Sequence, residues 1–375
     1  MARATLLSYQ QPKRDLRMRE KGRGARSNVT GRYAPLQYER SDEDWDALPD
    51  EDRAARRTPV TLARPRTIIN KVVSPYVGFE RSINPYRGCE HGCIYCFARP
   101  THAYHGLSPG LDFETRLYAK PDGPDMLRRE LSKRRYRVRP IMIGTNTDPY
   151  QPIEREQRIM RGLLGVLSDF RHPVSILTKS NLITRDLDIL GPMAGRGLAR
   201  AMVSITTQDR GLARAMEPRC PTPEHRFEAL GKIAEAGIPT GIMLGPMIPG
   251  LNDSELESIM ERAASLGASY SAYTVLRLPQ EVSPLFQEWL EAFAPNRAKR
   301  IMNHIRIING GKDYDPHWSR GEDSEIRTPF RKLIAQRYYH AQKRFGIIAR
   351  EQRVPLDCSQ FRIPESVSGQ GDLFG

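Results

Sequence analysis

The sequence lacks what a membrane-spanning or secreted protein needs. Only 39% of its 375 residues are hydrophobic, and no apolar run reaches the roughly 18 residues that a membrane-spanning helix requires. The basic beginning of the chain, MARATLLSYQQPKRDLRMRE, has no apolar stretch long enough for the core of a secretory signal peptide. These absences predict a protein that works in the cytoplasm and has no membrane partner.

Cysteine is also scarce. There are five cysteines, an odd number, and three of them crowd into GCEHGCIYCFA as Cys89, Cys93 and Cys96. This count and spacing exclude the paired disulfides of a small secreted protein and favour a metal site in a reducing compartment. The other two, Cys220 and Cys358, stand alone and are expected to be ordinary cysteines.

Acidic residues are outnumbered by basic ones. The chain has 58 Lys and Arg against 44 Asp and Glu, which gives a formal net charge of +14. A partner such as DNA fits this excess, because each phosphate neutralised by a cationic side chain releases counterions. An arginine-rich composition set by genome base content explains the same number, so charge alone leaves both open. Signatures of helix-turn-helix, RNA-recognition and zinc-finger domains are missing, so any grip on nucleic acid relies on charge and shape.

The chain divides into four predicted regions. Residues 1–65 are first basic and then acidic, with little apolar periodicity, and are expected to form a largely disordered arm. Residues 66–280 form the predicted core. Residues 281–350 read as a helical C-terminal extension, and residues 351–375 read as a flexible tail.

Short apolar runs in the core alternate with amphipathic stretches. Five runs read as buried strands, at residues 140–145, 174–178, 199–205, 240–245 and 270–276, and FERSINPY adds a strand before Cys89. Strand, helix and strand repeated with short links indicate parallel βαβ units. About six units are too few for a closed eight-stranded barrel, so we predict an α/β fold with a partial (β/α)6 TIM-like barrel.

The cysteine triplet lies in the loop after the first strand, at the end of the sheet where such folds place their active sites. Three thiolates can hold three irons of a 4Fe-4S cluster and leave the fourth iron open to a small molecule. A structural zinc site instead needs a fourth ligand, for which His91, His102 and His105 are available.

The pattern C-x3-C-x-aromatic-C after the first strand of a partial barrel resembles the radical S-adenosylmethionine superfamily. The resemblance covers residues 80–280. It implies that S-adenosylmethionine binds the open iron through its amino and carboxylate groups. It also implies that a reductant such as flavodoxin or ferredoxin supplies an electron, and that the resulting 5′-deoxyadenosyl radical abstracts hydrogen from a substrate.

The same resemblance implies a set of cofactor contacts near the strand ends. It places Tyr95 beside the adenine. It assigns the amino group to the end of the second strand, at Thr145, Asn146 and Thr147. It assigns the carboxylate to Lys179, the ribose or carboxylate to Ser204, and the adenine to the backbone around Met243, Gly245 and Pro246.

The motifs TDPYQPIE and TKS are similar to the group that includes spore photoproduct lyase, often described as DNA repair photolyase-like. This group implies a DNA-linked substrate and a repair-type lyase reaction. Spore photoproduct lyases carry a tyrosine directly after the third cysteine and a cysteine near the end of the second strand, which relay a hydrogen atom. Phe97 and the cysteine-free IGTNTD stand at those positions, so the hydrogen donor must differ. Candidates are Tyr86, Tyr150 and Cys220.

The last residues contain QGDLF, which is similar to the pentapeptide by which bacterial replication and repair proteins bind the sliding clamp. Gln370 leads the motif, Asp372 lies within it, and Leu373 and Phe374 end it. Two adjacent apolar side chains in a polar tail fit a hydrophobic groove on a partner. Gly371 departs from the leucine often found second, and Phe374 docked on the protein's own surface is the alternative.

Three functions remain open from the sequence. The first is a radical enzyme that acts on DNA. The second is a radical enzyme that modifies RNA, a protein or a metabolite. The third is a nucleic-acid-binding protein that carries a metal, zinc or a redox-sensing centre, without turnover.

Overall fold

The structure is a computed structural model, and it describes residues 22–33, 58–73, 78–315, 328–349 and 352–365. The described strands are β1 (Val60–Leu62), β2 (Ile69–Lys71), β3 (Arg81–Ile83), β4 (Tyr86–Arg87), β5 (Leu117–Ala119), β6 (Ile141–Ile143), β7 (Val174–Thr178), β8 (Ala199–Ser204), β9 (Thr240–Met247) and β10 (Tyr270–Val275). The described helices are α1 (Asp112–Thr115), α2 (Gly123–Leu131), α3 (Glu154–Gln157), α4 (Ile159–Asp169), α5 (Leu187–Ala194), α6 (Arg210–Met216), α7 (Pro223–Glu235), α8 (Leu256–Ser265), α9 (Val282–Phe293), α10 (Pro295–Ile308) and α11 (Pro329–Phe345).

The main sheet has seven strands in the order β10-β9-β8-β7-β6-β3-β2. Neighbouring strands from β10 to β3 are parallel, whereas β2 runs antiparallel to β3. The six parallel strands confirm the predicted βαβ units. In the described part of the chain β10 and β2 are edge strands, so the sheet does not close and the partial barrel is also confirmed.

The parallel strands are apolar because helices cover them. Five of the six residues of β8 are buried, and the buried face of α4, which includes Met160, Leu163 and Leu167, joins the same core. Gly241 on β9 is required by close packing, since a Cβ atom there would lie 2.3 Å from the ring of Tyr270. That tyrosine crosses the sheet and donates a hydrogen bond to the carbonyl of Ala201 at 2.8 Å.

A second, small sheet lies beside the cysteines. Strand β5 pairs parallel with β1 and antiparallel with β4. Strand β4 is short and leads directly into Gly88 and Cys89. The predicted first strand FERSINPY is therefore two strands, β3 in the main sheet and β4 in the small one, with Asn84 and Pro85 between them.

Part of the predicted disordered arm is ordered. Ala25 is fully buried, and the backbone N–H groups of Gly24 and Ala25 donate to the Glu114 carboxylate at 2.9 and 2.8 Å. The prediction of disorder is therefore wrong for residues 22–33, because a buried carboxylate binds backbone that composition alone marks as solvated. Residues 1–21 and 34–57 lie outside the described residues.

The C-terminal residues pack on two sides of the core. Helices α9 and α10 join an apolar cluster that includes Cys93 and Tyr95, whereas Arg337 of α11 binds Glu257 of α8. Residues 352–365 were predicted to be flexible, and this is wrong, since the backbone of Arg362 donates to Phe170 O at 3.1 Å. None of the described helices is long and apolar enough to cross a membrane.

Candidate functional site

The cysteine loop is held by short backbone turns. The N–H of Cys89 donates to Phe113 O at 2.9 Å, which ties the start of the loop to α1. Further along, Cys96 N–H donates to Cys93 O and Arg99 N–H donates to Cys96 O, each at 3.2 Å. Cys89 and Cys93 are buried, whereas Cys96 is partly exposed.

A fully buried ion pair supports this loop from below. The guanidinium of Arg99 binds the Glu114 carboxylate at 2.5 Å, and neither side chain is exposed. The same guanidinium donates to Cys93 O at 3.0 Å and to Gly92 O at 3.2 Å. Loss of one partner of such a pair costs about 3–5 kcal/mol, because the other charge is left buried and unpaired. Sequence reasoning missed both residues, because a charged side chain in a loop or short helix gives no sign that it is buried.

Glycine is required where the arm meets the loop. Gly92 has φ +66°, and a Cβ atom there would lie 2.8 Å from Glu114 Oε2. A Cβ atom on Gly24 would lie only 1.7 Å from Gly92 O. The arm residues 22–33 therefore touch the cysteine loop backbone to backbone.

The motif TDPYQPIE connects the cysteine loop to the sheet. The Gln151 amide donates to Gly88 O at 3.1 Å and accepts from Glu90 N–H at 2.8 Å. Asp148 accepts from the Thr178 hydroxyl at 2.6 Å and from Lys179 N–H at 2.7 Å. This motif holds the cysteine loop against the end of β7.

A polar cluster lies beneath Tyr95, at the ends of β7 and β8. Its centre is the buried carboxylate of Glu217, which accepts from the Tyr95 hydroxyl and forms an ion pair with Arg226. Glu217 Oε1 also lies 3.2 Å from Lys179 Nζ and accepts from the Thr206 hydroxyl at 2.7 Å. We call Tyr95, Lys179, Thr206, Glu217 and Arg226 the Glu217 cluster.

Burial and neighbouring charges set the protonation of this cluster. Burial opposes ionisation of Glu217, but Arg226 and Lys179 outweigh it and hold its pKa well below the ordinary value. Burial likewise opposes the charge of Lys179, but Glu217 raises the pKa of its ammonium above the ordinary value. The cluster thus contains two cations and one anion, a net charge of +1.

Burial keeps two of the loop thiols, those of Cys89 and Cys96, protonated. Burial raises the pKa of Cys89 well above its ordinary value and that of Cys96 to about 11. Without a bound cation these two are neutral thiols at pH 7. A metal that binds them must displace their protons, so metal binding and proton release are coupled.

Two adjoining cavities open beside the loop, of about 350 and 370 Å³. Arg87 and Asn146 line both, Lys120 lines the first, and Tyr104 and His105 line the second. Among the described residues, no acidic side chain lines either cavity. Burial and the charge of Arg87 lower the pKa of Lys120 to about 8.

Comparison with known proteins identifies the family. The model of the radical SAM superfamily matches residues 83–263 of this chain. An uncharacterized protein of Mycobacterium tuberculosis is 36% identical over 244 residues, which is 64% of this chain and 72% of that protein. The chain belongs to the radical SAM superfamily. A second uncharacterized relative of this radical SAM protein, from Methanocaldococcus jannaschii, is 28% identical over 226 residues, or 60% of this chain and 81% of that protein.

Solved structures share the radical SAM fold. Spore photoproduct lyase complexed with dinucleoside spore photoproduct matches with a TM-score of 0.51 and 16% identity, over 77% of this chain and 81% of that one. A mutant of the lyase with bound AdoMet and the same dinucleoside matches with the same score and identity. At this identity the likeness shows the fold alone.

The structure brings together several of the predicted radical SAM residues. Lys179 Nζ donates to Ser204 Oγ at 2.7 Å and lies 5.7 Å from the centre of the Tyr95 ring. The carbonyl of Gly245 accepts from Thr206 at 3.0 Å, and Met243 pairs with Ser204 across the sheet. Pro246 O accepts from the Asn252 amide at 3.0 Å. Thr206, Glu217 and Arg226 were missed, because a polar residue outside an apolar run reads as a surface residue until its partner is known.

Three other predicted residues lie apart from this cluster. Thr145 and Asn146 follow β6 and line the first cavity, where Asn84 accepts from Asn146 N–H at 3.0 Å. Thr147 is buried, and its hydroxyl donates to Tyr86 O at 3.1 Å. Its hydroxyl is therefore used within the fold and is not presented to the site.

The three candidate hydrogen donors lie in different parts of the structure. Tyr86 is buried with its hydroxyl bound to Glu154, and Tyr150 is buried in the main core. Only Cys220 of these three reaches the cysteine loop, with its sulfur 4.0 Å from that of Cys93. The tail residues Gln370, Asp372, Leu373 and Phe374 lie outside the described residues.

Two of the three histidines offered as zinc ligands, His102 and His105, have hydrogen-bond partners elsewhere. His102 Nε2 lies 2.9 Å from Arg116 O, and His105 Nε2 lies 2.7 Å from the Arg87 guanidinium. His91 Nδ1 lies 3.5 Å from the Asp148 carboxylate. Across the described ranges, no three His, Cys, Asp or Glu side chains converge to hold a single metal ion.

Proposed function

We propose that this protein is a radical SAM enzyme that holds a 4Fe-4S cluster on Cys89, Cys93 and Cys96 and acts on a DNA-linked substrate as a repair-type lyase. When bound, such a cluster supplies one electron that cleaves S-adenosylmethionine to a 5′-deoxyadenosyl radical. The observation that carries the proposal is the donor set. Three cysteines lie at the carboxyl end of a parallel sheet, and His102 and His105 contact Arg116 O and the Arg87 guanidinium instead.

The donor set fits the cluster better than it fits zinc. A structural zinc ion takes four protein ligands at one point, and the described residues offer no such point. Three thiolates of an iron–sulfur cluster bind separate irons and do not need to converge. The missing fourth ligand is then the feature that leaves a place for a small molecule.

The Glu217 cluster supports binding of the methionine end of S-adenosylmethionine. Arg226 and Glu217 neutralise each other, so the ammonium of Lys179 retains a positive charge for an added carboxylate. Ser204 holds this ammonium at 2.7 Å, and the Lys179 side chain remains 16% exposed. Glu217 also fixes the Tyr95 hydroxyl, which orients the ring beside Cys93 and Cys96.

Cleavage of the cofactor tests this part of the proposal. The anaerobically reconstituted protein with dithionite is expected to form 5′-deoxyadenosine from S-adenosylmethionine, and Cys93→Ala is expected to form none. Cys358→Ser is the matched control, because Cys358 packs away from the triplet beside Leu356. Equal nucleoside formation by wild type and Cys93→Ala would overturn the assignment.

A DNA-linked substrate is supported by the surface next to the loop. Tyr33 and Tyr104 stack at 5.4 Å between ring centres while 56% and 67% exposed, and Arg32 lies 5.4 Å from the Tyr33 ring centre. Tyr104 lines the second cavity, together with Arg87 and His105. Exposed aromatic rings beside cationic groups suit the stacking of bases and the binding of phosphates. A further argument, by analogy of fold alone, is the likeness to spore photoproduct lyase complexed with dinucleoside spore photoproduct.

Binding to DNA tests this second part. Replacing Tyr104 with Ala is expected to weaken binding of a labelled single-stranded oligonucleotide, measured by fluorescence anisotropy. One stacked base is worth about 1–3 kcal/mol, so the loss in affinity is roughly 5- to 150-fold. Tyr339→Ala, at a tyrosine 64% exposed on α11, is the matched control. Equal affinities of the two variants for the oligonucleotide would show that the surface around Tyr104 does not bind DNA. RNA bound better than DNA would favour the alternative of an RNA-modifying enzyme.

We also propose that QGDLF binds the bacterial sliding clamp. The support is the sequence motif alone, with its Leu373 and Phe374 pair. A column that carries immobilised bacterial sliding clamp is expected to retain the full chain. The double variant Leu373→Ala and Phe374→Ala is expected to pass through the column. Equal retention of both would refute the proposal.

A further inference from the structure

Cys220 is held against the cysteine loop by hydrogen bonds of the residues that precede it. Residues 216–220 run alongside residues 90–94. Ile94 N–H donates to Met216 O at 3.0 Å, and Arg219 N–H donates to His91 O at 3.3 Å. Arg219 also forms an ion pair with Glu90 at 3.2 Å. Cys220 N–H itself donates to Glu217 O at 3.1 Å, so its backbone is fixed.

This anchoring places two sulfurs in contact. Sγ of Cys220 lies 4.0 Å from Sγ of Cys93, although the residues are 127 positions apart in the sequence. A disulfide needs the sulfurs about 2.05 Å apart, so they must approach by about 2 Å. Side-chain rotation of the two cysteines is the simplest way to cover this distance. Cys220 is partly exposed and accessible to a small oxidant, whereas Cys93 is buried.

We propose that Cys93 and Cys220 form a reversible disulfide when the cysteine loop holds no metal, and that this bond closes the loop to iron. The oxidant is a peroxide. One sulfur of the pair attacks one peroxide oxygen, the O–O bond breaks, and a sulfenic acid and water form. The other sulfur then attacks the sulfenic sulfur, the S–S bond forms, the S–O bond breaks, and a second water leaves.

The two steps balance. Two thiols lose two electrons and two protons, and hydrogen peroxide is reduced to two waters. A dithiol reductant reverses the change by thiol–disulfide exchange. While the bond exists, Cys93 is not available as a ligand, and the loop keeps only Cys89 and Cys96. The bond itself rests on geometry, whereas its effect on iron rests on the proposed ligation of the cluster by Cys89, Cys93 and Cys96.

Peptide mapping of the full-length, metal-free protein tests the bond directly. After treatment with one equivalent of hydrogen peroxide and digestion with trypsin, we expect one cross-linked species. It joins the fragment that contains all three loop cysteines to the fragment that begins at Cys220. Fragmentation spectra are expected to assign the link to Cys93. A link confined to Cys89, Cys93 and Cys96, or no link at all, would overturn the proposal.

Thiol counts and iron uptake provide a second readout. The wild-type protein is expected to lose two of its five thiols and to regain iron binding only after dithiothreitol. The variant Cys220→Ser is expected to keep its thiols and its iron uptake under the same peroxide. The control Cys358→Ser is expected to lose two thiols, as the wild type does. Loss of iron uptake in peroxide-treated Cys220→Ser equal to that of the wild type would show that another reaction closes the loop.

Discussion

Replacing Glu217 with Gln is expected to destabilise the protein strongly. The carboxylate is fully buried and accepts from Tyr95 and Thr206 while pairing with Arg226 and Lys179. A glutamine amide has one oxygen, so its nitrogen must face either the Arg226 guanidinium or the donors on the other side. Both cations also lose their only negative neighbour within the cluster.

The expected cost follows from this geometry. Removing one member of a buried, hydrogen-bonded ion pair costs about 3–5 kcal/mol of unfolding free energy. The matched control is Glu257→Gln, which removes a carboxylate bound by Arg337 at 2.5 Å but 38% exposed at the surface. Exposed pairs contribute about 0–1 kcal/mol, so the two substitutions are expected to differ by at least about 2 kcal/mol.

Urea unfolding followed by circular dichroism measures this difference, and pH gives a second check. The pKa of Glu217 is held below its ordinary value of 4.5, so its contribution is present above that pH and is lost as pH falls below it. The wild type is therefore expected to lose stability below pH 4.5 more steeply than Glu217→Gln. Equal costs for Glu217→Gln and Glu257→Gln would refute the reasoning.

Three further predictions concern the cysteine loop and the site. Arg99→Ala is expected to lower stability by about 3–5 kcal/mol and to reduce the iron retained after reconstitution, measured by iron analysis, because Glu114 loses its partner. Gly92→Ala is expected to cost more unfolding free energy than Gly106→Ala, since both have φ near +67° but only the first new Cβ meets Glu114, and an equal cost would contradict this. Lys179→Met is expected to weaken S-adenosylmethionine binding by roughly 10- to 150-fold at unchanged iron content, because a charged hydrogen bond worth about 1.5–3 kcal/mol is lost. Anaerobic calorimetry measures this affinity. An unchanged affinity would show that the carboxylate of S-adenosylmethionine does not bind Lys179.

The sheet could be predicted from the sequence because its signal is local. Strand β7 has the predicted bounds, and β8, β9 and β10 fall within two residues of theirs, since a strand buried on both faces is a continuous apolar run. The start of the sheet was harder. Asn84 and Pro85 divide the first predicted strand between two sheets, and this break has no hydrophobic signature.

The support of the site could not be predicted, because it is made of contacts between distant residues. Glu114 binds the arm residues Gly24 and Ala25, which their basic surroundings mark as disordered. Glu217 follows a helix and meets Tyr95 122 positions away. A charged residue reads as solvated in a sequence, and only the fold shows that its partner is buried with it.

The most direct test of the central claim is the electron paramagnetic resonance spectrum of the anaerobically reconstituted, dithionite-reduced protein. The account predicts the signal of a reduced 4Fe-4S cluster that shifts when S-adenosylmethionine is added and is absent from Cys93→Ala. A colourless protein that binds zinc and gives no cluster signal after reconstitution would contradict it.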